Sequence, residues 1–377
     1  MKKSILFIAH EIGLNGASKS LLNIIDELQE EYDIHVLVKG TGKLTDELSK
    51  RKCSVIVRKY YLDAEKLPHN NFKNSILSFI KSIRYKLFRY HQNIKTARYM
   101  AQYISDNNIS IVHSNSSSTF MGAYIRRYVK VKHIWHFREF LYEDFGLEPV
   151  GGWKALYKNA DQYAELIIAV SDSVKNKYEK IIKTPIIRIY NGIPELREKY
   201  PKENHKTFNI LQCGIISPAK GVDVSVKALA QLHHQGFENI ELYLAGKGDL
   251  DFCEEDLIAV RDHVHVLGFV NNIQEIRQKQ IDAELVCSRS EAFGRVTIEA
   301  MQCGIPVIGA DTAGTSELID DRKNGLLFKM GDCEDLSKKI VELYSDNELM
   351  EQIKQSALES SGYYNIKRCV REIEEFY

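Results

Sequence analysis

The stretch Ser288–Gly309 reads SRSEAFGRVTIEAMQCGIPVIG, and the rest of the chain is best understood as its support. Just upstream, Ile281–Cys287 ends in an apolar run predicted to be a buried strand. A polar turn, Ser288-Arg289-Ser290-Glu291, follows, then a glycine at Gly294. From Arg295 the apolar positions Val296, Ala300 and Cys303 fall at helical spacing, and Gly304-Ile305-Pro306 stops the helix. Val307–Ala310 is a second apolar strand. This strand–loop–helix–strand unit carries two carboxylates eight residues apart, Glu291 in the loop and Glu299 about one turn inside the helix. Around Gly294–Val296 the first backbone N–H groups of the helix have no partner within it, so they present positive charge to an anion such as a diphosphate.

Those residues carry a resemblance. Glu291-Ala292-Phe293-Gly294, then Glu299-Ala300, then Gly304-Ile305-Pro306-Val307-Ile308, resemble the E-x7-E element of the retaining glycosyltransferases of family 4. Two glutamates at that spacing arise often by chance, but the whole string with its glycine and proline punctuation is far more specific. The likeness also continues in order along most of the chain. It implies an α/β chain with the GT-B fold, two Rossmann-like domains facing across a deep interdomain cleft.

Composition agrees with two domains, because 377 residues of ordinary apolar content exceed one comfortable core. Basic and acidic residues balance at 51 each, which gives no argument for nucleic acid. Seven cysteines are scattered without a C-x-x-C pair and read as small buried hydrophobes in a reducing compartment. The apolar run in MKKSILFIAH is short for a signal peptide, and no stretch approaches a bilayer-spanning length. The expected location is cytoplasmic.

Strand and helix signals alternate from the start, the mark of parallel sheets covered on both faces. Ile5–Ala9 is a strand, followed by the loop His10–Ala17 and a helix from Ser18. On local grounds Gly13 and Gly16 read as a tight turn; the resemblance points instead to Gly16 facing the donor's diphosphate. Strands are also expected near Ile34–Val38, Val55–Arg58, Ile109–His113, Val131–Phe137, Leu166–Ser171 and Ile186–Gly192. Ligands gather at the carboxyl ends of such strands, where His113, Asn115, His136 and Arg138 fall. Relatives often carry H-x-H where this chain has His113-Ser114-Asn115, so Asn115 departs from the pattern. The resemblance implies catalytic roles for His113 and His136, and acceptor binding by Asn115, His136 and Arg138. His133 and His136 point to opposite faces of a strand, a poor fit to a metal.

Asn70–Tyr99 is different in character. It holds Lys73, Lys81, Arg84, Lys86, Arg89, Lys95 and Arg98 and no acid, interleaved with Phe72, Ile76, Phe79, Ile80, Ile83, Leu87 and Phe88. A basic amphipathic helix over 72–98 suits an anionic membrane surface; a helix packed on its own domain with a solvated basic face is the other reading.

The polar, proline-bounded stretch PELREKYPKENH marks 194–206 as the linker. The expected division is therefore an acceptor-binding domain over 1–193, completed by a C-terminal helix at 362–377, and a nucleotide-sugar-binding domain over 207–361. In the second half, Phe208–Cys213 leads into Gly214-Ile215-Ile216-Ser217-Pro218-Ala219-Lys220-Gly221, similar to the family's phosphate-binding loop. Lys220 matches. Ile215 stands where an arginine is usual, and Arg295 is either its replacement or an ordinary surface arginine. Val264–Val270 reads as a strand and bend whose backbone meets the base in relatives, which points to Phe269 and Val270. Asp249-Leu250-Asp251 opens a helix and reads as structural.

The resemblance implies a retaining transfer from a nucleotide diphosphate sugar, most readily a UDP-sugar, to a hydroxyl of a glycan or lipid-linked acceptor, as in cell-surface polysaccharide biosynthesis. No cofactor or metal is expected. By the same resemblance, Glu291 orients the sugar, Phe293 shapes the pocket and Glu299 binds the ribose. Lys220, Arg295 and the backbone at Gly16, Gly294 and Val296 would stabilise the diphosphate. Two alternatives stand beside this, a catalytically silent glycosyltransferase-like partner subunit, favoured by Ile215 and Asn115, and a nucleotide-sugar epimerase.

Overall fold

The structure, a computed structural model, describes residues 2–66 and 76–377, and the side chains of all of these except 76–82. Two compact units emerge. One comprises Met1–Gly192 together with Cys369–Tyr377, and the other comprises Ile193–Arg368.

The first unit is built on seven parallel strands: β1 (Ser4–Ile8), β2 (Asp33–Val38), β3 (Ser54–Val57), β5 (Ile111–Ser114), β6 (Lys132–Phe137), β8 (Leu166–Ala169) and β9 (Ile186–Arg188). Their order is β3-β2-β1-β5-β6-β8-β9. Two short strands, β4 (Ala64–Lys66) and β7 (Leu147–Pro149), pair antiparallel outside this sheet. The central strands are buried on both faces, β1 and β5 at every position. Trp135 on β6 is wholly buried, and its indole N–H is satisfied by the Ser116 carbonyl at 2.8 Å.

The second unit repeats the plan with six parallel strands: β10 (Phe208–Cys213), β11 (Ile240–Ala245), β12 (Val264–Gly268), β13 (Ala283–Val286), β14 (Val307–Ala310) and β15 (Leu326–Phe328). Their order is β12-β11-β10-β13-β14-β15. Both sheets run outward in two directions from their first strand. Connections therefore diverge at β1/β5 and at β10/β13, and a crevice opens at the carboxyl ends of those pairs.

The strands match expectation closely, and three boundaries differ. The first helix runs Gly16–Leu28, two residues earlier than expected, because the Asn15 side chain caps it by accepting from the Ser18 N–H at 2.9 Å. Residues 194–206 form no free tether. Tyr200 N–H donates to Gln278 and Lys202 pairs with Asp282 at 3.0 Å, so the segment lies along the second unit. The return to the first unit begins at Cys369, not at 362, because Tyr364 stays in the second unit against Phe293.

The long helix Ile76–Asp106 carries the basic segment. Phe72 and Lys73 lie outside the described residues, as do the side chains of Ile76, Phe79, Ile80 and Lys81. Ile83, Leu87 and Phe88 are 43%, 61% and 52% exposed, whereas Asn93, Ala97 and Met100 farther along are buried. Among the described residues no helix is long and apolar enough to cross a membrane.

Asp63 bolts several of these pieces together. Its carboxylate accepts from Phe120 N–H at 2.7 Å, Tyr124 O–H at 2.8 Å and the Asn93 amide at 3.3 Å. Burial pushes its pKa up from 3.8 to about 6, against the pull of those donors. The folded state thus favours the neutral acid, a contribution present below pH 3.8 and lost as pH rises through about 6. Asp63→Asn does not titrate, so wild type should lose roughly 3 kcal/mol relative to this variant between pH 3.5 and 7. Both tryptophans, Trp135 and Trp153, belong to the first unit, and their fluorescence in urea at the two pH values measures that difference.

Candidate active site

In the second unit the chain leaves β10 through Gly214-Ile215-Ile216-Ser217 into a single 3-10 turn, Pro218–Lys220, and then the helix Val222–His234. Gly221, between turn and helix, has φ +68°, and a Cβ there would lie 2.0 Å from the Cys287 carbonyl oxygen. Only glycine lets the loop lie this close to the end of β13. The Lys220 carbonyl accepts from the Gln212 amide at 2.7 Å, and Gln212 accepts in turn from Ser225 at 2.6 Å. From the β13 side, Arg289 N–H donates to Ala219, and the Arg289 guanidinium grips Asp223 at 3.1 and 2.6 Å.

These braces bring the two central residues of the sequence argument together. Lys220 Nζ donates to Glu291 Oε2 at 2.6 Å, and the Ser288 hydroxyl donates to the same oxygen at 3.2 Å. Gly314 N–H holds the Glu291 carbonyl at 2.8 Å. The pair is partly open to solvent, as a site meant to receive a ligand must be.

Glu299 lies on the helix Arg295–Met301, between two guanidiniums. Arg295 donates to Oε1 at 3.2 Å and Arg277 to Oε2 at 3.4 Å. Arg295, read as either a diphosphate ligand or a surface arginine, is thus paired with Glu299. Ile215 is 63% exposed. Phe293 is buried, its ring 6.1 Å from Tyr364 and edge-on to it, so it props the loop from beneath rather than lining a surface. Gly294 is the residue before the helix, which is only seven residues long, and Val296 is half-buried in its first turn. Phe269 and Val270 follow β12, the edge strand two places from β10.

In the first unit, His113, His136, Asn115 and Arg138 also come together. Arg138 donates to Asn115 at 2.7 Å, to Asn191 and to His136 Nδ1 at 3.2 Å. Asn115 spends the other end of its amide on the Ala17 carbonyl, 3.1 Å away in the first turn of the Gly16–Leu28 helix. Gly16 beside it is exposed. His113 is fully buried, with Nε2 3.2 Å from His136 Nδ1 and Nδ1 2.7 Å from the Tyr377 hydroxyl.

These contacts decide the tautomers. A guanidinium can only donate, so His136 Nδ1 accepts and its proton sits on Nε2. His113 then donates from Nε2, and its Nδ1 accepts the Tyr377 proton. Burial, with Arg138 close by, holds both imidazoles well below their usual range, so both are neutral. His136 Nε2 and His10 Nδ1 have no hydrogen-bond partner among the described residues. His133 is different, held on both sides by Ser114 at 2.9 Å and the Tyr163 carbonyl at 2.8 Å. The serine run has its own role, since Ser116 and Ser117 hydroxyls and the Ser118 N–H cradle the buried Glu139 carboxylate.

Residues 193–360 match the glycosyl transferases group 1, and residues 14–195 match glycosyltransferase family 4. The chain is a family-4 glycosyltransferase with the GT-B fold. An uncharacterized glycosyltransferase of Methanocaldococcus jannaschii is 26% identical over 326 residues, 84% of this chain and 89% of the relative. The N-acetyl-alpha-D-glucosaminyl L-malate synthase of Bacillus anthracis is 27% identical over 233 residues, 57% of this chain and 60% of the relative. Among solved structures, Anabaena HepE in complex with UDP-glucose superposes with a TM-score of 0.75 at 20% identity, covering 99% of this chain and 98% of that one. The last comparison speaks for the fold.

Several residues of this glycosyltransferase escaped sequence reasoning. Arg277 and Glu284 had a visible signal, because a glutamate inside the apolar strand Ala-Glu-Leu-Val must find a cation. His10, Asn191 and Tyr377 had none, since only the fold brings them to His113, Arg138 and their neighbours.

Gly221→Ala should destabilise the second unit by roughly 2–4 kcal/mol through left-handed strain plus collision with Cys287. Gly236→Ala, also at positive φ but with nothing within 4 Å of the added carbon, should lose only about 1–2 kcal/mol. Calorimetric melting of the two variants side by side checks the difference.

Proposed function

We propose that this glycosyltransferase moves a hexose from a uridine diphosphate sugar to a hydroxyl of a glycan or lipid-linked acceptor, with retention at the anomeric carbon. The observation that carries the reading is the Lys220–Glu291 pair, braced from both strands at the β10/β13 crevice. HepE, a protein of the same fold, is known in complex with UDP-glucose, which favours uridine.

As the bond from the sugar to the diphosphate breaks, negative charge collects on the leaving oxygens. Lys220 is placed to meet it, and no metal is needed in this reading. Glu291 orients the sugar hydroxyls and Glu299 the ribose. In the first unit, His136, its ring fixed by His113 and Arg138, is assigned to the acceptor side of the reaction. The leaving phosphate takes the acceptor's proton, so neither glutamate need act as nucleophile.

Lys220→Ala should lower kcat by roughly 10²-fold or more, measured as sugar transfer or donor hydrolysis with a panel of uridine diphosphate sugars. Near-normal turnover in that variant would remove the assignment. If wild type binds no nucleotide at all, the exposed Ile215 marks a silent site, and the partner-subunit reading takes over.

The protein works, in this reading, at the cytoplasmic face of a membrane, in assembly of cell-surface polysaccharide. The exposed Ile83, Leu87 and Phe88 share their helix with Arg84 and Lys86, a pattern suited to anionic headgroups over acyl chains. Leu87→Ser with Phe88→Ser should cut co-sedimentation with anionic vesicles several-fold. Equal binding of wild type to anionic and zwitterionic vesicles would count against attachment.

A further inference from the structure

Arg277 and Glu284 form a fully buried ion pair, both at 0% exposure. Nε and Nη2 of the arginine each lie 2.7 Å from one carboxylate oxygen. Such a pair is a weak source of stability, because removing two charges from water costs about as much as their attraction returns. Replacing such a pair by apolar residues of similar volume is often neutral or stabilising. The geometry shows what the arginine has left over. Its third nitrogen, Nη1, reaches Gln274 at 3.3 Å and Glu299 Oε2 at 3.4 Å.

Charge balance makes the arrangement specific. Burial disfavours the charge on Arg277, but Glu284 beside it overrides this and holds the guanidinium protonated well above its usual range. Burial pushes the Glu284 carboxyl up despite Arg277. The arginine is thus clamped in orientation by Glu284 and cannot swing, while its remaining N–H groups face a carboxylate that is only partly buried. Arg295 meets the other oxygen of Glu299 from one turn earlier on the same helix. A carboxylate held between two guanidiniums keeps one orientation, which is the property needed to accept two vicinal hydroxyls.

We infer that Arg277, fixed by Glu284, is a positioning residue that aims Glu299 at the ribose of the donor and so sets the preference for a ribonucleotide. The inference rests on the proposed donor role of Glu299. It needs no contact between Arg277 and the nucleotide, which its burial excludes.

The experiment compares binding of UDP and 2′,3′-dideoxy-UDP by calorimetry. Wild type should favour UDP at least tenfold, the scale of a hydrogen bond to a charged group. The double variant Arg277→Met, Glu284→Leu removes the charges together and leaves no unpaired ion in the core. It should bind dideoxy-UDP as wild type does and bind UDP with the preference reduced to within about twofold, the loss expected when one aligned charged bond is misplaced. Arg277→Gln, Glu284→Gln, a neutral pair of similar shape, gives the same reading should the apolar pair not fold. A folded variant that keeps the wild-type preference overturns the role of Arg277 while leaving the donor site standing. Wild type that binds both nucleotides equally overturns the ribose role of Glu299, and the inference falls with it. Restoring Arg277 alone, as the single variant Glu284→Gln, should recover part of the preference, because the guanidinium still faces Glu299.

Discussion

Parallel pairing is the constraint on which everything else in this molecule depends. Two parallel neighbours cannot be joined by a hairpin, so each connection crosses a face of the sheet and returns to the same edge. Every strand then delivers its carboxyl end, and the loop that follows, to one side. Where successive connections depart in opposite directions, at β1/β5 and at β10/β13, two such loops stand side by side. Lys220 and Glu291 are 71 residues apart and meet because of this geometry. His113 and His136 meet on adjacent strands for the same reason.

Within each unit the polar residues at these ends are held by partners chosen to leave particular atoms available. In the second unit the loops are tied through main-chain atoms, at Lys220 O, Ala219 O and Glu291 O, while the side chains of Lys220 and Glu291 pair with each other. In the first unit the opposite holds. Arg138 donates to Asn115 and His136, and His113 bridges His136 and Tyr377; among the described residues His136 Nε2 and His10 Nδ1 have no hydrogen-bond partner. One unit is suited to grip charge, and the other to present a directed hydrogen bond.

The sheets were legible because buried strands in this chain are short apolar runs bounded by polar turns, and a run such as ILFIA admits few other readings. The Glu291 and Lys220 loops were legible because glycine and proline punctuate them at fixed offsets. What the sequence did not disclose depends on long-range partners. Arg295 has the right charge and neighbourhood for a phosphate, but the i, i+4 spacing to Glu299 on the same helix turns it inward. Asn115 looks like a substituted histidine and proves to be a strut between the Gly16–Leu28 helix and Arg138. Phe293 reads as a pocket wall until Tyr364, 71 positions later, covers it.

One feature of the first unit bears on how the chain is made. The second unit is a single continuous segment, whereas the first borrows Cys369–Tyr377 from beyond it, and Tyr377 closes the histidine chain at a separation of 264 residues. Synthesis runs from the amino end, and domains tend to fold as units once emerged. The seven-stranded sheet therefore waits, through the making of all the intervening chain, with its Tyr377 contact unfilled. The unit translated first is the one finished last, and His113 reaches its Tyr377 hydrogen bond only after the whole second unit has been synthesised.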